Sequence, residues 1–252
     1  MKLFACAISA ASLAAIAVPA IAGQTVSKPV VAALANPDRP ADQRAIDGRR
    51  KAGEILTFAG IRPGDRVADF VMGGGYWTRI LSPLVGPKGK VYAYQPAEFI
   101  KFQPSYAEQQ RAAVAGLSNA VAKDESFGAL AFPERLDAIV TVQNYHDLFL
   151  KPFPRTLAAD VTKKLFDALK PGGVLLVVDH VAASDPDNVA PDKLHRIDPA
   201  IARAAIEQAG FRFAGKLDVL RNPDDPHGAS VFDPSIRGKT DQFIYKFVKP
   251  KR

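Results

Sequence analysis

The stretch Arg66-Val-Ala-Asp-Phe-Val-Met-Gly-Gly-Gly-Tyr-Trp-Thr-Arg-Ile-Leu81 carries an apolar run to an acidic residue, breaks into three glycines and restarts with helical periodicity. Such a pattern predicts a strand, a tight turn and a helix. Glycines at the turn let a ligand approach the backbone closely, and they leave helix N-terminal amides free to meet its polar groups. The reading is a nucleotide-type site at the first strand of an α/β sheet.

Upstream, residues 41–59 place Ala45, Ala52, Ile55, Leu56 and Ala59 at near-helical spacing, ended by Gly60, and the Pro- and Ala-rich residues 23–40 read as an extended arm. Downstream, the pattern predicts a helix over 76–84, a strand over 90–95, a helix over 106–117, a weak strand at Val121 and a strong one over 136–142. An amphipathic helix follows over 155–169, stopped by Lys170-Pro-Gly-Gly173. The unbroken apolar run 174–178 then marks a strand buried on both faces. A helix over 199–209 and strands over 211–220 and 242–248 complete the chain. The alternation predicts a Rossmann-like, doubly wound α/β domain, mostly parallel with one antiparallel edge strand. In such sheets ligands bind beyond the C-terminal strand ends, near the switch point.

Residues 1–22 have one basic residue, Lys2, then an apolar run and Ala20-Ile-Ala22, which reads as a cleavable signal peptide. The alternative is an uncleaved anchor. The expectation is an exported, periplasmic protein with no membrane contact after cleavage and a single domain over 41–252. The one cysteine, Cys6, lies in the leader, so the mature chain has no thiol for a disulfide, a metal or a nucleophile. The net charge of +7 is scattered, with clusters only at Arg49-Arg50-Lys51 and the C-terminal tail. This suits solubility or weak anion attraction rather than a nucleic-acid partner.

The glycine turn after Asp69, the segment Leu169-Lys-Pro-Gly-Gly-Val-Leu-Leu-Val-Val178 and the late Ala209-Gly-Phe211 resemble the class I S-adenosylmethionine (SAM) dependent methyltransferases. A closer likeness is to exported methyltransferases with Gln143-Asn-Tyr-His-Asp147, Asp179-His180 and Leu194-His-Arg-Ile-Asp198. The resemblance implies a seven-stranded sheet and SAM as cofactor, with Asp69, Gly73, Gly74, Gly75, Thr78 and Gln95 around it. Two positions depart from the family pattern: Val71 stands where a glycine is usual, and Gln95 where a ribose-binding carboxylate is usual. Gln95 can still accept hydrogen bonds, but without the charge that roughly doubles their strength.

The segment after the 136–142 strand faces the methyl group in this family. Asn144 and Tyr145 are read as positioning an acceptor, His146 as its base and Asp147 as orienting the imidazole. The plain alternative is that His146 and Asp147 cap the next helix. His180 and His195 are expected to meet His146 at one rim and bind substrate. Arg196 either binds an anionic group of the substrate or pairs with Asp179. The ordinary role of Asp69 is to hold the glycine loop, and that of Asp198 is an N-cap before Pro199. No His-x3-His or Cys pair dictates a metal, although the His and Asp set is chemically able to hold one. The leading function is a SAM-dependent methyltransferase for a small-molecule acceptor. Because SAM is made in the cytosol, the alternative is an exported binding protein for a small ligand or metal on the same fold. A metal-assisted hydrolase ranks third.

Overall fold

A computed structural model describes residues 25–251, so the leader at 1–22 lies outside the described residues. Seven strands form one sheet: β1 (Arg66–Phe70), β2 (Lys90–Tyr94), β3 (Ala120–Lys123), β4 (Leu136–Val142), β5 (Leu169–His180), β6 (Arg212–Leu217) and β7 (Gln242–Val248). Their order is β3-β2-β1-β4-β5-β7-β6. Strands β1 to β5 pair in parallel, and β7 runs antiparallel to both β5 and β6. The antiparallel strand therefore sits one place in from the edge, with β6 outermost, because β7 turns back and inserts beside β5. The chain builds outward from β1 to β3 and then crosses to β4. The crevice at the C-terminal ends of β1 and β4 is the switch point.

Helices α1 (Lys28–Leu34), α2 (Ala41–Ala45), α3 (Asp47–Arg50) and α4 (Ala52–Ala59) precede β1. The expected extended arm is thus corrected over its described part. Pro29 stands in the first turn of α1, where it costs no hydrogen bond, and Val30 and Ala33 are buried. The single helix expected over 41–59 is also corrected. It breaks at Ile46 and again at Lys51, which has left-handed backbone (φ 52°).

After the glycine turn come α5 (Tyr76–Val85), α6 (Ala97–Phe102), α7 (Ser105–Val114), α8 (Leu157–Ala168), α9 (Ala190–Leu194) and α10 (Pro199–Gln208). Period-2 alternation splits the core across the sheet. Val67, Val91, Val140 and Val178 face Ile55, Leu56, Ile80 and Leu81 of α4 and α5. Ala68, Tyr92, Ile139 and Val177 face Val161, Leu165 and Ile206 of α8 and α10. No helix among the described residues is long and apolar enough to cross a membrane.

Candidate functional site

At the end of β1 the backbone turns through Val71 (φ 59°), Gly73 (φ 53°) and Gly75 (φ 79°) into α5. Positive φ is uncommon for a β-branched residue. Val71 keeps the backbone a glycine would adopt and buries its side chain in the core. The glycines divide in role. A side chain at Gly73 would meet nothing within 4 Å, and at Gly74 only Gln109 Oε1 at 4.0 Å. At Gly75, however, it would stand 2.3 Å from Ala113 Cβ of α7. Gly75 is therefore a packing glycine, and the open face of the turn lies at Gly73 and Gly74.

Asp69 is 2% exposed and accepts a hydrogen bond from Thr78 Oγ1 at 2.6 Å. Burial raises its pKa to about 6, against the Thr78 hydrogen bonds and the Arg50 charge, which lower it. Thr78 is itself fully buried and spent on Asp69. Gln95, at the end of β2, accepts from Gly73 N–H at 3.0 Å, while its buried Nε2 has no partner among the described residues.

Asn144 donates to the backbone oxygens of Val142 (2.6 Å) and Val71 (3.0 Å), tying the ends of β4 and β1 together. Tyr145 is fully buried, and its hydroxyl bonds Thr162 of α8 at 2.9 Å. It points away from the rim, contrary to its expected place beside an acceptor.

Three histidines do converge. The His146 ring centroid lies 6.2 Å from that of His180 and 5.5 Å from that of His195. His146 Nδ1 is 2.8 Å from Asp179 Oδ1, and its Nε2 is 3.3 Å from Asp147 Oδ1. Burial opposes a charge on this ring, but the carboxylates of Asp179 and Asp147 outweigh it and raise its pKa to about 9. His180 is the reverse case. Burial lowers its pKa to about 4, and Nδ1 lies 2.7 Å from Thr240 Oγ1, so the ring is neutral.

Arg196 departs from both roles expected of it. It is fully buried, in a two-pronged ion pair with Asp225 (2.8 and 3.0 Å), and it also donates to the carbonyls of Val181 and Ala229. Asp179 is occupied by His146 instead. Asp198 is the N-cap of α10, accepting from Ala200 N–H.

Beside the histidines, at the ends of β4, β5 and the start of β7, lies a cavity of about 600 Å³. Arg49 and Arg50 of α3 and Arg237 of the 218–241 loop line it, together with Trp77, Phe232 and His180, and no carboxylate does. The side chains of Arg49, Arg50 and Arg237 form no ion pair among the described residues. Arg50 stacks over Tyr76 at 4.5 Å. The Trp77 Nε1 is buried without a partner among the described residues. For its arginines the only sequence signal was the Arg49-Arg50-Lys51 cluster. Arg237 lies in a loop whose placement depends on contacts far along the chain.

No protein-family model matches the sequence, and comparison with curated proteins gives no match. Solved structures do resemble it. A SAM-dependent methyltransferase from Aquifex aeolicus superposes with a TM-score of 0.56 at 20% identity, covering 84% of this chain and 98% of its own. The [4+2]-cyclase SpnF superposes with a TM-score of 0.59 at 17% identity, covering 81% of each chain. Human N-acetylserotonin methyltransferase in complex with SAM gives 0.51 at 16%, covering 84% of this chain and 54% of its own. The chain thus has the fold of the class I SAM-dependent methyltransferases. One of these relatives in fold is a cyclase, so the reaction must be argued from the site.

Proposed function

We propose that the protein is a SAM-dependent methyltransferase whose acceptor is a small molecule carrying an anionic group. The observation that carries this reading is a cavity of about 600 Å³ at the ends of β4 and β5, lined by three guanidiniums and no acid, on a sheet whose open glycine turn follows the adjoining strand β1. The residues present suit SAM: the free outer face at Gly73 and Gly74 admits a ligand against the backbone, and the unpartnered Gln95 Nε2 beside it offers a donor. Asp69, behind the turn, holds it through Thr78. When bound, SAM supplies a methyl group on a sulfonium, open to in-line displacement.

The chain's own part is orientation and proton acceptance. Arg49, Arg50 and Arg237 hold the anionic end of the acceptor, and Trp77 and Phe232 flank its apolar body. His180, a neutral imidazole on the cavity wall, takes the acceptor's proton in place of His146, whose ring nitrogens are both directed at carboxylates. A weak base suffices here, because a hydroxyl becomes strongly acidic as its oxygen gains a methyl group. Cleavage of residues 1–22 as a signal peptide, the reading their sequence supports, would put this reaction outside the cytosol.

Calorimetric titration of residues 23–252 with SAM tests the reading. Saturable binding is expected. Gly74→Val, whose side chain has room in the fold, should weaken that binding by at least about tenfold, since it fills the cradle. An absence of binding by the unaltered chain would overturn the reading in favour of a small-ligand or metal-binding protein on this fold.

A further inference from the structure

His146, Asp147 and His195 form a cluster that the methyl-transfer reading does not use. One ligand atom from each lies within 4.8 Å of those of the other two. The spacings to Asp147 Oδ1 are 3.3 Å from His146 and 3.8 Å from His195. Neither is a good hydrogen bond, for which about 2.7–3.2 Å is usual. An ion with tetrahedral bonds of about 2.0–2.1 Å has ligand-to-ligand edges of about 3.3 Å. The first spacing already matches such an edge, and the second, at 3.8 Å, is about half an ångström longer.

The surroundings orient the ligands. Asp179 is fully buried, accepts from the backbone N–H of His146 and contacts His146 Nδ1 at 2.8 Å. This fixes the proton on Nδ1 and presents Nε2 to the cluster. A carboxylate behind a ligating histidine sets its tautomer and raises its basicity as a ligand. His195 is delivered from the end of α9 by a left-handed backbone (φ 51°), and Phe232 packs against its ring at 4.9 Å. The three ligands come from two segments, the turn after β4 and the end of α9, which pack together in the folded chain.

We propose that His146 Nε2, Asp147 Oδ1 and His195 Nδ1 bind a divalent transition ion of the zinc type, with Asp179 orienting His146. Two imidazoles and one carboxylate suit zinc and its neighbours rather than calcium or magnesium, which take oxygen ligands. Three protein ligands leave a fourth position for water or a ligand group. The site stands independently of the methyltransferase reading.

The test is calorimetric zinc titration of the purified, chelator-treated chain, with cobalt as a spectroscopic probe. One zinc per chain is expected, along with the strong visible absorption of tetrahedral cobalt. His195→Asn tolerates the left-handed backbone and cannot reach the ion, so it should weaken binding by at least about tenfold. Asp147→Asn should do the same, while His227→Ala should bind as the parent does. Absence of uptake by the parent chain overturns the site. So does equal uptake by the His195→Asn and Asp147→Asn chains, which would mark adventitious surface binding.

Discussion

Asp69 is a carboxyl group closed off from water at the end of a strand, and that enclosure has a thermodynamic signature. Its folded pKa of about 6 stands above the usual carboxylate value. The unfolded chain therefore releases this proton first, and stability falls as pH rises from about 4 to about 6, by roughly 2–3 kcal/mol for a shift of this size. Asp69→Asn removes that contribution. Urea unfolding of the two chains should show the stability difference shifting in favour of the variant between pH 4.5 and 6.5, then holding constant; a flat difference would refute the assignment. At this scale the sequence spoke clearly where chemistry is local. Asp69, its glycines, His146 and His180 stand beside the strand ends that define them. Arg196 was illegible because its partner, Asp225, lies 29 residues away in a loop with no periodic pattern. Tyr145 was illegible because the direction of a side chain after a strand depends on the helix that packs there.

Among the elements, the short α3 is held in place by one acid. Asp47 takes both prongs of Arg39 (2.7 and 2.8 Å) and the Tyr76 hydroxyl (2.7 Å), fastening α3 over the start of α5. This contact puts Arg49 and Arg50 at the cavity. Asp47→Ala leaves the Arg39 guanidinium, only 2% exposed, without its counter-ion, and should cost about 2–4 kcal/mol. Hydrogen exchange over residues 41–60 should rise well above that of the sheet. On the other side of the turn, Gly75→Ala combines positive φ with a 2.3 Å approach to Ala113 Cβ, and should lower stability by about 2–4 kcal/mol in urea titration. The strands were the most legible elements, since β4 and β7 follow directly from unbroken apolar or alternating runs. Helices at the N-terminal side were not, because Pro29 and the break at Lys51 take their meaning from what they pack against.

Across the whole molecule, the cavity has one wall from α3 and another from the 218–241 loop, which together enclose the ends of β4, β5 and β7. The loop is anchored by the fully buried Arg196–Asp225 pair and by Asp241, which receives Arg221 Nε at 2.8 Å and lies 2.9 Å from His227 Nε2. Asp225→Ala strands a buried guanidinium and should cost about 3–5 kcal/mol, measured by thermal or urea unfolding. The fold class was readable because alternating elements have few ways to pack; the cavity was not, because its walls come from opposite ends of the chain. One further consequence follows from Trp77, the sole tryptophan of the sequence, which lies on that cavity wall with its indole N–H unpartnered among the described residues. The protein carries a built-in optical reporter: an occupant that satisfies the indole or stacks on it will change the intrinsic fluorescence with no background from a second tryptophan, so candidate acceptors can be ranked by emission alone.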